Sequence, residues 1–379
     1  MKKVKRIAGI FLSVLAIGIL GGCTAESGET REGNTVAVSS SEDGGGEDVF
    51  RVCFVHASTI GDNENTDAII NQLREIAASD ASFQVDVLES PNLSGDWENN
   101  YTAAAIGGYD LIMSLTPQSA ETMAAVAEKY PDARFVSIDN AIVGHGNINN
   151  VMCNVNESFY PAGVVAAVVT TMADLPRINE DKKVGFVAGK DTPFALDCLA
   201  GFEQGVHSVD PGIEVVTSFG DTFSDPVVLK EYSIAQINDG VDILAAIAGS
   251  AQLGAFEGCD QNGAYGIANG MNYDSKYPGT MLTGAVRNYW PAVKRVLEDT
   301  RNGVWNGDSL YLSTFGNGGM QLTDMSYWRE YVGEALSDEE FQKILDAAQS
   351  AMNQIEAGEV VVNQYPGFRQ YSSDYKTFR

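Results

Sequence analysis

The chain has 379 residues, of which 44% are hydrophobic and 20% charged, and its net charge is −27. That length and apolar content are enough for two globular domains rather than one. So acidic a surface repels nucleic acid and anionic lipid headgroups, which argues against a nucleic-acid partner; a small ligand held in a closed cleft answers to local groups instead.

The N-terminus carries an export pattern. Lys2, Lys3, Lys5 and Arg6 precede an apolar run from Ile7 to Leu20, too short and too poorly flanked for a spanning helix. The run ends in Leu20-Gly21-Gly22-Cys23, which resembles the bacterial lipobox: an aliphatic residue, two small residues that a protease cleft accepts, then the cysteine that is lipidated. Residues 1–22 are therefore expected to be a signal peptide. Cys23 is expected to carry a lipid that holds the protein to the outer face of the cell membrane; the alternative is a secretory signal with an incidental cysteine. Loss of the leader takes four positive charges with it and shifts the balance from −27 to −31. Residues 23–48 are rich in Ser, Gly, Thr and acidic groups and nearly empty of large apolar ones, so they cannot bury enough surface to fold. They read as a flexible tether with a reach of ~25–30 Å.

From Val49 onward, short apolar runs alternate with longer helix-like stretches. The predicted strands are 50–55, 84–88, 111–115, 134–138, 183–188, 214–218, 243–247, 265–268 and 280–286. Between them lie amphipathic segments at 66–78, 118–129, 195–208, 228–238 and 291–302. Near-continuous apolar strands separated by helices imply parallel sheets covered on both faces, and two groups of strands imply two α/β domains. The break between them is placed in 159–181, whose first part reads as a helix stopped at Leu175-Pro176. Tyr130-Pro131 ends the helix before it. Ser337 with Glu340 has the spacing of a capping box opening a helix to about Glu356, which Gly358 would close.

The remaining cysteines, Cys53, Cys153, Cys198 and Cys259, are widely spaced with no metal-site pattern. Cys53 and Cys153 fall in strands and read as small buried hydrophobes. His56, His145 and His207 are scattered and read as structural or solvated. The sequence contains no Gly-x-Ser-x-Gly elbow, no His-Glu-x-x-His and no Walker loop. Neither an enzyme activity nor a cofactor nor a metal is expected.

The stretch YDLIMSLTPQSAETMAAVAEKYPDARFVSID (109–139) is similar to the basic membrane protein family of substrate-binding lipoproteins, which includes purine nucleoside receptors of ABC importers. The resemblance continues in 150–172, 183–211, 219–258 and 280–299, about 190 residues in all. Its most specific part is the order Gly185-Phe186, Gly201-Phe202-x-x-Gly205, Phe223-x-Asp225 and Gly240-x-Asp242-Ile243. The resemblance implies a type I periplasmic-binding-protein fold: two doubly wound parallel-sheet lobes joined by a three-crossover hinge and closing around one ligand. The lobes are placed at 49–155 plus 284–305 and at 156–283 plus 306–379. It implies capture of a small polar solute, nucleoside-like, by a monomer that delivers it to an ABC permease. The alternative is a sensor of the same fold that signals to another membrane protein.

Site residues follow position by position. Phe223 takes the place of the family's base-stacking aromatic; its setting between Gly220-Asp221 and Ser224-Asp225 is loop chemistry rather than core. Arg287 falls where the family has a ribose-binding lysine, and its fork could meet a hydroxyl pair, a carboxylate or a phosphate. Asn65 could supply the amide of the first loop, but Glu64 stands where a second ring is expected. Ala268 stands where the family's ribose-binding aspartate belongs, and Asn269 is the substitute from the next position. A ring-bearing loop becomes Leu115-Thr116-Pro117-Gln118, leaving Gln118 as the polar candidate. Ser250 and Gln252 lie where a strand end opens a helix, the place where open α/β sheets bind ligands. Tyr289 and Trp290 could edge the cleft or simply pack. These departures make the cleft more polar and less aromatic than the nucleoside type.

Overall fold

The computed structural model describes residues 49–61, 64–115, 117–366 and 375–379, with Glu64 described by its backbone only. The expected signal peptide, lipobox with Cys23 and tether, and Thr116, lie outside the described residues. In chain order the first elements are β1 (Phe50–Val55), α1 (Glu64–Ser79), β2 (Phe83–Leu88), α2 (Ser94–Ile106), β3 (Leu111–Leu115), α3 (Ala120–Lys129), β4 (Phe135–Ile138) and β5 (Ile148–Cys153). Then come α4 (Val155–Thr170), β6 (Lys183–Ala188), α5 (Pro193–Val209), β7 (Glu214–Phe219), α6 (Pro226–Asn238), β8 (Val241–Ile247), α7 (Gln252–Asn262), β9 (Tyr265–Gly270) and β10 (Met281–Arg287). The last are α8 (Trp290–Arg301), β11 (Ser309–Ser313), β12 (Met320–Leu322), α9 (Ser326–Val332), α10 (Asp338–Glu356) and β13 (Thr377–Phe378).

Among the described residues the strands form two sheets, ordered β13-β11-β5-β4-β3-β1-β2 and β12-β10-β9-β8-β6-β7. Every pairing is parallel except β10 with β12, where Arg287 faces Met320. Interior strands such as β5 and β8 are buried along their whole length, as parallel strands covered on both faces must be. Within each sheet five strands repeat the same winding, β2-β1-β3-β4-β5 and β7-β6-β8-β9-β10. The direction of winding therefore reverses between β1 and β3 and again between β6 and β8. In open α/β sheets the crevice beyond the carboxyl ends of the strands at such a reversal is where ligands sit.

The second lobe is built around α4 and α5, with Phe159, Phe186, Phe202 and Trp328 in one apolar cluster. The two helices touch backbone to backbone. A Cβ on Gly201 or Gly205 would collide with the carbonyl oxygen of Asn156 or Tyr160 on α4, so the four-residue glycine spacing is a packing requirement. The chain changes sheet at β5 into α4, at β10 into α8 and at β11 into β12, and β13, after α9 and α10, stands again in the first sheet. Helix α8 returns to the first lobe, where Val293, Val296 and Leu297 join its core. The fold is the two-lobed, parallel-sheet type I architecture expected from the sequence.

Several boundaries differ from expectation. The first sheet continues through β5, so the chain leaves it after Cys153 and enters α4 at Val155. The change of lobe therefore precedes 159–181. Strand β10 pairs with β9 through Arg287's neighbour Val286 and belongs wholly to the second sheet, although the sequence boundary cut it at 284. Strand β11 pairs with β5, Ser309 facing Asn149, and β13 pairs with β11; these residues join the first sheet instead of the second lobe. The expected capping box is formed: Ser337 Oγ accepts from Glu340 N at 3.2 Å and Glu340 Oε2 accepts from Ser337 N at 2.9 Å. Cys53, Cys153, Cys198 and Cys259 are buried, and among the described residues none is joined in a disulfide.

Candidate functional site

The reversal point of the second sheet is shaped by three tight turns. Gly189, just after β6, donates to Ile247 O at 2.8 Å and accepts from Thr222 N at 2.8 Å. Thr222 Oγ1 accepts from Ser224 N and Asp225 N, and Asp225 caps α6 by accepting from Val227 N at 3.0 Å. These bonds fix the turn that carries Phe223. Its carbonyl accepts from Ala251 N at 3.2 Å and Ser250 Oγ at 3.4 Å. Its ring lies against Gly189, where any Cβ would strike it, and is 44% exposed. An apolar ring held out on so many hydrogen bonds is a platform, not a core residue, because a core ring is buried by packing.

Next along the strand ends, buried Gln252 opens α7 and its Oε1 accepts from Asn269 N at 3.4 Å. Asn269 stands near the end of β9, and its Oδ1 is buried with no hydrogen-bond partner. Beside it Arg287 ends β10. The guanidinium lies 5.1 Å over the Phe194 ring and its Nη1 donates to Tyr289 Oη at 3.2 Å. Tyr289 Oη in turn donates to Asp139 Oδ1 at 2.5 Å, and that oxygen is 3.9 Å from Arg287 Nη1. Arg287 belongs to the second sheet, whereas Tyr289 packs in the first-lobe core and Asp139 follows β4. The three side chains therefore tie the lobes together at the floor of the cleft. Burial pushes the Asp139 carboxyl above its ordinary value, against the opposing pull of Arg287 and of the Tyr289 hydroxyl. Asp139 also holds a backbone φ of +64°, rare for a residue other than glycine and common at sites where geometry is imposed.

Arg287 Nε is likewise buried without a partner. Leaving a buried donor or acceptor unpaired costs about 1–3 kcal/mol, and more for a charged group. Other buried polar atoms lack partners elsewhere, both amide atoms of Asn149 among them, but these two stand on adjacent strands at the carboxyl ends of the second sheet, where an open α/β sheet takes its ligand. A groove of ≈ 600 Å³ opens beside Arg287, lined from the first lobe by Asn65, Gln72 and Trp290 and from the second by Asn272 and Gln321. A hollow of ≈ 630 Å³ on the outer flank of the second lobe, between α5 and residues 359–363, lies away from the strand ends.

Of the residues singled out in the sequence, Phe223, Ser250, Gln252, Asn269 and Arg287 gather along the carboxyl edge of the second sheet. Asn65 reaches the same cleft from the start of α1. Gln118 lies exposed in the turn before α3 and does not line the groove. Asp139 and Phe194 were not anticipated. The Asp139-Asn140 pair directly after an apolar strand is a turn signal that could have drawn attention to the first; Phe194 looks like an ordinary first-turn helix residue. Among the described residues no group of three or more His, Cys, Asp or Glu side chains could hold a metal ion.

Residues 50–360 match the Bmp family, described as PnrA-like ABC transporter substrate-binding proteins. The chain belongs to this family. Its relatives include the ABC transporter nucleoside-binding protein BmpA of Lactococcus lactis, 25% identical over 61% of this chain and 68% of that protein. Another is TsgA13 of Haloferax volcanii, described provisionally as an ABC transporter glucose-binding protein, 24% identical over 83% of this chain and 77% of that protein. Among solved structures, a solute-binding protein of an ABC transporter system from Aeropyrum pernix superposes with a TM-score of 0.64 at 20% identity. It covers 83% of this chain and 94% of that one, which bears on the fold. As a Bmp-family substrate-binding protein the chain serves outside the cytoplasm with a small-molecule ligand and a permease partner.

Proposed function

We propose that this Bmp-family protein captures a neutral, hydroxyl-bearing solute, a nucleoside or a sugar, between its lobes and delivers it to an ABC permease, while a lipid on Cys23 keeps it at the outer face of the membrane. The observation that carries the reading is the floor of the cleft. Arg287 and Asp139 sit 3.9 Å apart and share Tyr289, so the strongest charges there already balance and an anion gains little. What remains open is one cationic donor, Arg287 Nε, and one neutral acceptor, Asn269 Oδ1. A hydroxyl both donates and accepts, so a pair of ring hydroxyls answers both atoms. Phe223 offers a flat face for a base or for the apolar side of a sugar ring. The names of the relatives, one for a nucleoside and one for glucose, fall within this class.

Thermal unfolding of the purified chain against nucleosides, monosaccharides, amino acids and organic phosphates tests this. A ligand confined to the folded state at a hundredfold excess over Kd adds about 2.7 kcal/mol. A nucleoside or sugar is expected to raise Tm, and Arg287→Ala is expected to abolish the rise. A rise with an amino acid or phosphate and with no nucleoside or sugar would defeat the reading. Cys23→Ala is expected to move the protein out of the membrane fraction.

A further inference from the structure

We infer that the cleft continues past Arg287 into a second subsite along α1, which takes a further neutral, hydroxyl-bearing ring attached to the solute. This rests on the central reading above and extends it from a single solute to a glycosylated one. The groove beside Arg287 has a volume of ≈ 600 Å³, within the range of pockets that hold a drug-sized molecule. It reaches well beyond the two unpaired atoms at the floor. Asn65 and Gln72 both line it. They stand seven residues apart on α1, two turns on one helix face, so the wall they form is ~10 Å long. The facing wall, from the second lobe, adds Asn272 and Gln321, and Trp290 contributes an aromatic surface between them.

This lining has a definite chemistry. The amides each present donors and an acceptor without net charge, and an indole face accepts the apolar side of a sugar ring. Neither feature would favour an ion, and the carboxylate of Glu75, which also lines the groove, opposes an anion. Because the groove and the floor share Arg287, one molecule can occupy both. The unpaired Nε marks the junction.

The test is calorimetric titration of the full chain with matched probes: glucose with maltose and cellobiose, galactose with lactose, and guanosine and adenosine as compounds without the extra ring. At least one disaccharide is expected to bind tenfold or more tighter than its monosaccharide. The double variant Gln72→Ala/Gln321→Ala is expected to remove about tenfold of disaccharide affinity and to leave the monosaccharide and nucleosides unchanged. Arg287→Ala should weaken every probe. If monosaccharides or nucleosides bind and no disaccharide binds tighter, the second subsite is overturned while the central reading stands. The subsite is equally overturned if the double variant lowers short and long probes alike, or neither. If none of the probes binds, the central reading falls and the extension falls with it.

Discussion

Asn150 and Asn269 occupy comparable places, each on an interior strand of a parallel sheet, and the protein treats them oppositely. Asn150 Oδ1 accepts from Ile142 N at 2.8 Å, and its Nδ2 donates to Ile142 O at 3.1 Å and to Tyr375 Oη at 3.2 Å. Every capacity of that amide is used within the fold, where it pins the 140–148 loop to the first sheet. Asn269 receives no such treatment: its Oδ1 is buried and unpaired, next to an arginine whose Nε is also unpaired. A saturated buried amide is architecture, because its bonds are complete without a partner from outside. An unsaturated one is a standing cost; Asn149 bears the same cost at the start of β5, away from the cleft, so it is the place of Asn269 at a carboxyl strand end beside Arg287 that points to a ligand.

Asp242 extends the comparison to a group that has its hydrogen bonds and still bears a penalty. It accepts from Thr170 Oγ1 at 2.8 Å and from Asn179 N at 3.3 Å, yet burial pushes its carboxyl from 3.8 up to about 7. The unfolded chain gives up this proton near pH 4 and the folded chain holds it until about 7. Stability from this group is therefore complete below pH 4 and lost as pH rises towards and through 7. A shift of this size corresponds to a change on the order of 4 kcal/mol. The stability difference between Asp242→Asn and the parent, from denaturant titrations between pH 4 and 8, should grow across that window. A constant difference would show that the carboxyl ionises near its ordinary value.

For Asn150 the expectation is a loss of stability. Asn150→Ala strands the N–H and C=O of Ile142 and should cost about 2–3 kcal/mol, read as a lower denaturation midpoint. Ligand affinity in the folded fraction should be unchanged. Phe223 stands on the other side of the comparison. Phe223→Ala should lose roughly 1–3 kcal/mol of binding, a five- to 150-fold rise in Kd, with little change in stability because the ring is already 44% exposed. A drop in stability of about 3–5 kcal/mol would identify it as a core ring after all. The smallest effect belongs to Asn269→Ala, about 0.5–1.5 kcal/mol of affinity, with stability equal to or above the parent since an unpaired buried acceptor is removed. Reduced stability with unchanged affinity would erase the contrast between the two asparagines.

The same contrast explains what the sequence made legible. The predicted strands are apolar runs, and they stand out because a parallel strand covered on both faces has to be apolar. Strand β5 does not, because Ile148-Asn149-Asn150-Val151 carries two asparagines, residues depleted in strands; Asn150 is tolerated there by bonds to Ile142 and Tyr375, distant in sequence. The Gly201 and Gly205 spacing is visible as a motif, while its cause, contact with the α4 backbone, needs the partner helix. At the site, the second-sheet candidates are legible because strand ends followed by turn residues announce themselves. Asp139 is not, since its importance comes from Arg287 and Tyr289, which arrive 148 and 150 positions later.

The contacts from Arg287 to Tyr289 and Asp139 join the lobes at the floor of the cleft, and this divides the clock of binding between two ends of one site. If the lobes close by swinging about these contacts, Arg287 and Asn269 beside them should present almost the same geometry to an arriving solute before and after closure. Phe223, after β7 at the other end of the second sheet, should meet the solute fully only once the lobes have swung together. Changes at the floor should therefore be felt in how often an encounter succeeds, and changes at Phe223 in how long the solute stays before it is handed on.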